Sequence, residues 1–365
     1  MDPTTTLDSL PRLRLCQLPT PIQRLARLEV ELGVEGGPEL HVKRDDLTGL
    51  GFGGNKGRKL EFSLAEAQVQ GADTVLTCGG VQSNHCRQTA AAARALGFGV
   101  HLFLSGKRPD RFTGNLLPSE LCGAEFHFVN ADDTVDLEGR MGKFAGQLRA
   151  QGRRPYPIPI GASNPTGAMG YVNAAREIRT QEEELGFAFD RIVITSGSGG
   201  TRSGDFAVRQ AFLSGLVSCC PHVSAFPGGK VPHGTQAGLL VGKRLFGLQA
   251  KVVGMGVHHP KSIGQLREAF ARLATDTGRR LGIDEVISPE EMIFVPDYVG
   301  PDYGVPTEES KAAIRLLARL EGIFLGPTYT AKAMAGLIDY VKQGKFEARE
   351  RVLFIHTGGT IELFA

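Results

Sequence analysis

The chain has 365 residues, enough for roughly two domains with separate cores. Its make-up is globular, 41% hydrophobic and 22% charged, and a formal net charge of +2 offers no footing for nucleic acid or a membrane surface. No apolar run approaches the roughly 18 residues of a spanning helix. The polar start Met1-Asp2-Pro3-Thr4 resembles no targeting peptide, and six cysteines without a C-x-x-C pair predict reduced thiols of a cytoplasmic protein.

The first informative stretch is Lys43-Arg44-Asp45-Asp46, followed by Gly53-Gly54-Asn55-Lys56-Gly57-Arg58-Lys59. Two glycines allow close backbone approach to a ligand, and Lys56 follows where the pattern turns helical. A lysine so presented suits condensation with an aldehyde cofactor, although a surface lysine after a glycine turn has the same local pattern. Gly49-Leu50-Gly51-Phe52-Gly53-Gly54 fits G-x-G-x-x-G, but it follows Lys-Arg-Asp-Asp rather than an apolar strand, so the dinucleotide reading is weak.

Further on, strands are predicted at 74–77, 100–104, 125–129, 156–160, 192–195, 251–255, 292–295 and 352–355. Helical periodicity lies at 84–96, 114–121, 134–151, 166–184, 261–281, 307–320 and 331–343. The alternation predicts an α/β protein with two open, twisted parallel sheets covered on both faces, and ligands at the strands' carboxyl ends. Four strand exits carry glycine and small polar residues: Gly79-Gly80-Val81-Gln82-Ser83-Asn84, Gly161-Ala162-Ser163-Asn164, Ser196-Gly197-Ser198-Gly199-Gly200 and His356-Thr357-Gly358-Gly359. Their convergence on one edge argues for a single polar site.

Gly197, Ser198, Gly199 and Gly200 suit a phosphate, which free backbone N–H groups and a helix N-terminus would hold; a flexible turn is the bland reading. Ser83-Asn84-His85 opens a helix, so Ser83 or Asn84 suits an ordinary N-cap or a grip on a substrate carboxylate. His85 reads as a buried structural histidine. His258-His259 lacks carboxylate partners in helical register, so no metal is assigned. Tyr303 and Tyr329, two of only six tyrosines, sit in glycine/proline loops that would fix their hydroxyls for acid–base work. Thr357-Gly358-Gly359-Thr360-Ile361-Glu362 looks like the asparaginase nucleophile motif, but that motif opens its fold and here only Leu363, Phe364 and Ala365 follow.

Together, Lys43-Arg44-Asp45-Asp46, Gly53-Gly54-Asn55-Lys56, Gln82-Ser83-Asn84-His85 and Tyr329-Thr330-Ala331-Lys332-Ala333 resemble the fold-type-II, pyridoxal-phosphate-dependent ACC deaminase/D-cysteine desulfhydrase family. The resemblance runs from Leu18-Pro19-Thr20-Pro21 to His356-Thr357-Gly358-Gly359. It implies a tryptophan synthase β-like fold, with a small domain at 51–165 inserted into a large cofactor-binding domain formed by 1–50 and 166–365. It further implies that Lys56 holds pyridoxal phosphate covalently, Asn55 bonds its ring hydroxyl and Thr357 faces its ring nitrogen. The loop from Gly197 would take the phosphate. Gln82, Ser83 and Asn84 would bind the substrate, Ser83 would serve in proton transfer, and Tyr303 and Tyr329 would line the reacting side. A homodimer acting on a small amino acid is also implied.

ACC deaminases carry Glu after the second active-site tyrosine and Leu before the last Gly-Gly; here Thr330 and Thr357 stand there, which argues against ring-opening deamination. The lyase branch leaves D-cysteine desulfhydrase and L-cysteate sulfo-lyase both open. One departure is sharp. The family's Gly-Thr-(His/Gln)-Ala-Gly-Leu run appears here only at Gly234-Thr235-Gln236-Ala237-Gly238-Leu239, 34 positions beyond Gly200-Thr201. An insertion at about 201–234 would be either translated intervening sequence or a real excursion closed at its base. Thr201 and Thr235 then compete for the phosphate, and an inactive cofactor-binding protein is an alternative outcome.

Overall fold

The computed structural model describes residues 2–34, 36–129, 137–197, 234–260 and 262–365. The chain begins with α1 (Pro3–Ser9), β1 (Ile22–Arg24), α2 (Ala26–Glu31) and β2 (Glu39–Lys43). It continues through α3 (Lys56–Val69), β3 (Thr74–Gly80), α4 (Asn84–Ala95), β4 (Gly99–Ser105), α5 (Leu116–Leu121), β5 (Glu125–Val129), α6 (Leu137–Ala150) and β6 (Pro155–Pro157). Then come α7 (Pro165–Leu185), β7 (Arg191–Ser196), α8 (Gly234–Phe246), β8 (Lys251–Gly256), α9 (Ile263–Arg279), β9 (Ile293–Val295), α10 (Glu308–Glu321), α11 (Thr330–Lys342) and β10 (Arg351–Ile355). Among the described residues no helix is long and apolar enough to cross a membrane.

The strands form two sheets, ordered β1-β2-β10-β7-β8-β9 and β5-β4-β3-β6. Every pairing is parallel except that of the edge strand β1 with β2. Alternation along β10 shows why both faces are covered. Val352 and Phe354 pack with Ala333, Leu337 and Leu317 of α11 and α10, while Leu353 and Ile355 pack with Tyr171 and Ile178 of α7. The smaller sheet does the same, with Val100, Leu102 and Leu104 against α3 and α4, and Leu76, Cys78 and Phe103 against α6.

β2 is not among the predicted strands. Its sequence, Glu-Leu-His-Val-Lys, alternates polar with apolar residues as a strand with one solvent face does, yet His41 and Lys43 are buried on the far face. His41 packs against the Phe187 and Phe189 rings, and burial lowers its pKa, favouring the neutral form. Lys43 Nζ is surrounded by Glu177 Oε1 at 2.7 Å, Gln181 Oε1 at 2.6 Å and the Thr20 carbonyl at 3.1 Å.

α7 starts at Asn164, whose side chain accepts from Gly167 N, continues with Pro165 in the first turn, and stops at left-handed Gly186. Two helices lie close on it because glycines remove the side chains in between. A Cβ on Gly170 would meet the Arg58 carbonyl of α3 at 2.3 Å, and one on Gly238 of α8 would meet the Ala168 carbonyl at 2.3 Å.

Charges then lock α3 to α7. Arg58 Nη2 lies 2.7 Å from Asp45 Oδ1 and Nη1 2.8 Å from Glu177 Oε2, with Arg58 1% and Asp45 0% exposed. Tyr171 donates to Asp45 Oδ2 at 2.6 Å and Thr20 to Asp45 Oδ1 at 2.8 Å. Although burial opposes it, bonding to Arg58 and Lys43 brings the Glu177 carboxyl down to about 2. Replacing Arg58 by Leu leaves Asp45 buried without its cation and should cost about 3–5 kcal/mol in urea unfolding. Lys311→Ala, which breaks an exposed pair with Glu308, should cost under about 0.5 kcal/mol. Because the Glu177 pKa is depressed, its stabilisation is complete above the unfolded value and should fade as pH falls from about 4.5 to about 2. Equal losses in the two variants, or a flat acid limb, would contradict this account.

Candidate active site

Lys56 is the first residue of α3, and its approach is built from glycine. A Cβ on Gly53 (φ 66°) would lie 1.9 Å from the Asp46 carbonyl, and one on Gly54 (φ 122°) 3.1 Å from the Thr357 carbonyl. Asn55 N donates to that Thr357 carbonyl at 3.0 Å, so the loop leaving β10 touches the lysine's loop directly. The Asn55 side chain donates to Thr235 Oγ1 at 3.2 Å, joining the start of α8 to the same place.

Burial lowers the Lys56 amine to about 8. Lys59, one turn on, is wholly buried, donates to the Gly161 carbonyl at 3.3 Å, and is pushed well down by burial and then by Lys56. A Cβ on Gly161 would lie 3.6 Å from Lys56 Nζ, and one on Gly234 would lie 3.1 Å from Lys59 Nζ. Both amines therefore face one small space at the N-terminus of α8, and among the described residues neither has a carboxylate partner.

The opposite side is formed by α4 and three loops. Ser83 caps α4, its Oγ accepting from Cys86 N at 3.2 Å, so the ordinary capping role is filled. Asn84 is held at both ends: its Oδ1 accepts from Arg87 Nη2 at 3.2 Å and its Nδ2 donates to Glu362. The Tyr303 and Tyr329 hydroxyls are hydrogen-bonded to one another, with ring centroids 5.9 Å apart. Burial pushes Tyr303 up to about 12 and Tyr329 well above its usual value, so both carry their protons at neutral pH. Tyr329 also flanks Gly197, where a Cβ would lie 3.6 Å from the ring.

A family model described as "Pyridoxal-phosphate dependent enzyme" matches residues 13–216 and 227–358. D-cysteine desulfhydrase of Klebsiella pneumoniae subsp. pneumoniae is 39% identical over 364 residues, spanning 98% of this chain and 97% of that protein. 1-Aminocyclopropane-1-carboxylate deaminase of Methylobacterium nodulans is 36% identical over 361 residues, spanning 97% and 96%. The chain belongs to the pyridoxal-phosphate-dependent ACC deaminase/D-cysteine desulfhydrase family. A crystal structure of an ACC deaminase homologue superposes with a TM-score of 0.81 at 35% identity, covering 100% of this chain and 96% of that one. As a member of this family the protein is a pyridoxal-phosphate-dependent lyase acting on a small amino acid.

The pocket suits that cofactor on its own chemistry. An aldehyde needs an amine that loses its proton readily, and a phosphate needs cations and helix N–H groups. Lys56 meets the first need; Lys59 and the start of α8 meet the second. Lys59 was not singled out from sequence, because a lysine three positions along a helix reads as an exposed one.

Three sequence expectations need comment. The Gln82 side chain has two structural partners: its Oε1 accepts from Asn115 N at 2.7 Å and its Nε2 donates to the Thr113 carbonyl at 3.2 Å. His85 Nε2 meets Thr77 Oγ1 at 2.8 Å, and burial lowers its pKa well below the usual value, a structural histidine. Ser198, Gly199, Gly200, Thr201 and the insertion to 233 lie outside the described residues; its flanks meet where Ser196 donates to Gln236 Oε1 at 2.9 Å.

A lowered Lys56 pKa makes its neutral form accessible near physiological pH. Reductive trapping of pyridoxal by the cofactor-free protein should rise with pH through a midpoint near 8. At pH 7 the neutral fraction is then about 300-fold that of an ordinary lysine. A midpoint near 10, read by peptide mass mapping at Lys56, would contradict the burial argument.

Proposed function

We propose that the protein eliminates sulfide from D-cysteine, giving pyruvate and ammonia after one water is added. The observation that carries elimination over ring opening is Thr330. Its hydroxyl is wholly buried, donating to the Gly326 carbonyl at 3.3 Å and accepting from Gly326 N at 2.7 Å. The position after Tyr329 therefore offers no acid or base, whereas the family resemblance expects a glutamate there in a ring-opening deaminase. The 39% identity to a D-cysteine desulfhydrase supports the same side of the choice.

When bound, pyridoxal phosphate supplies an electron sink for charge developing at the substrate's Cα. In this reading Lys56 would hold the cofactor, and its amine would take the proton from the substrate's Cα. Asn55 and Thr357 would orient the ring, while Gly197, Ser198, Gly199, Gly200, Lys59 and Thr235 would hold the phosphate. Thr235, beside Asn55, is preferred to Thr201. Ser83 and Asn84 hold the substrate carboxylate. Tyr303 and Tyr329, kept protonated by burial, supply a proton to the departing sulfur. In the same reading the cofactor would lie between the two sheets, and a cytoplasmic homodimer is expected.

A panel of D-cysteine, L-cysteine, L-cysteate and 1-aminocyclopropane-1-carboxylate, read for 2-oxo acid, sulfide and sulfite, tests the assignment. Sulfide and pyruvate should appear fastest from D-cysteine. Faster sulfite from L-cysteate, or faster 2-oxobutyrate from the cyclopropane, would replace the reading. Lys56→Ala should lose both the cofactor's visible band and pyruvate formation. Tyr329→Phe should keep the band and lower kcat by about 10²–10³.

A further inference from the structure

Glu362 is a buried carboxylate that the mechanism above does not use. It lies in the last turn of the described chain, Thr360–Phe364, and is 8% exposed. Its Oε1 accepts from the Asn84 amide and its Oε2 from Thr328 N at 3.3 Å. Among the described residues no cation pairs with it directly. The charged or titratable groups facing it are Arg87 on α4 and the tyrosines 303 and 329 on their loops, with Cys86 of α4 beside the tyrosines. Arg87 is held off by Asn84: its Nε goes to Asn115 Oδ1 at 2.6 Å, its Nη2 to Asn84 Oδ1 and the Gly53 carbonyl, and its Nη1 has no partner.

Asn84 thus bridges a guanidinium and a carboxylate, which fixes its amide orientation. One hydrogen of Nδ2 is committed to Glu362 and one remains. A ligand carboxylate taking the second hydrogen would share the amide nitrogen with Glu362, two like charges in a site of low dielectric. We propose that Glu362 is a substrate-binding residue that takes one proton from solvent as an amino acid's carboxylate arrives at Asn84. The close pair then becomes a carboxyl and a carboxylate, and the charge of the site is the same before and after binding. Burial already holds the Glu362 carboxyl above its usual range, the same direction in which proton uptake would move it. This inference rests on the proposed carboxylate grip by Ser83 and Asn84.

Proton uptake decides it without turnover. The cofactor-loaded protein is titrated calorimetrically at pH 7 with D-alanine, which has no leaving group, in two buffers of different ionisation enthalpy. D-Alaninamide, which lacks the carboxylate, is the paired ligand. D-Alanine should take up about half to one proton more than D-alaninamide, and Glu362→Gln, checked by its cofactor band, should erase that excess. Above the Glu362 pKa, D-alanine affinity should fall by up to about tenfold per pH unit in the unaltered protein alone. If the two ligands take up equal protons while D-alanine binds more tightly, the role of Glu362 is overturned and the carboxylate grip stands. If D-alaninamide binds as tightly as D-alanine, the grip falls and the inference with it. Should the Gln variant fail to fold, the ligand pair on the unaltered protein still decides.

Discussion

Everything at the active edge hangs on a buried charge cluster two residues from Lys56. Arg58 reaches Asp45 in the turn after β2 and Glu177 in the middle of α7, and Lys43 closes the ring from the end of β2. Such groups are costly to desolvate, and their attraction offsets that cost only in a narrow geometry. The cluster is therefore a weak source of net stability but a strong source of position. It ties a strand of the larger sheet, the helix that begins at Lys56 and the long α7 into one relation. Gly170 allows the backbone of α3 to come close enough for the ions to meet.

Around that frame the site is polarised. Lys56, Lys59 and the N-terminus of α8 give one side amines and N–H groups that suit an anion, whereas Glu362 places a carboxylate at the other side beside Asn84. The two tyrosines pair between Gly197 and Glu362 and remain neutral because both burial and the nearby carboxylate oppose their ionisation. An anionic cofactor is the natural complement to the first side, while a ligand carboxylate at Asn84 meets a like charge on the second.

Much of this was readable from residue order, for reasons visible in the packing. β3, β4, β7, β8 and β10 are buried on both faces, so each appears as an apolar run; the same burial makes the glycine-rich exits of β3, β7 and β10 stand out. β2 escaped because the far-face partners of His41 and Lys43 come from residues 187–189 and 177–181, which local periodicity cannot register. α8 escaped because Gly234, Gly238 and Gly242 depress helical propensity while enabling its contact with α7. Gln82 looked free for a ligand because its partners, Thr113 and Asn115, are about thirty residues away. Glu362 was passed over inside a segment whose likeness to another enzyme's motif was rejected by position, although its burial beside Asn84 is a tertiary fact.

The hydrogen bond between Ser196 and Gln236 has a consequence for how this chain can change length. It joins the exit of β7 to the first turn of α8, so strand and helix are held together by this bond and by the close packing of α8 on α7. Each doubling of a connecting loop adds only about 0.6 kcal/mol of closure entropy. A junction of this kind works as a natural splice point: sequence can enter or leave between the two residues while the framework on either side keeps its alignment.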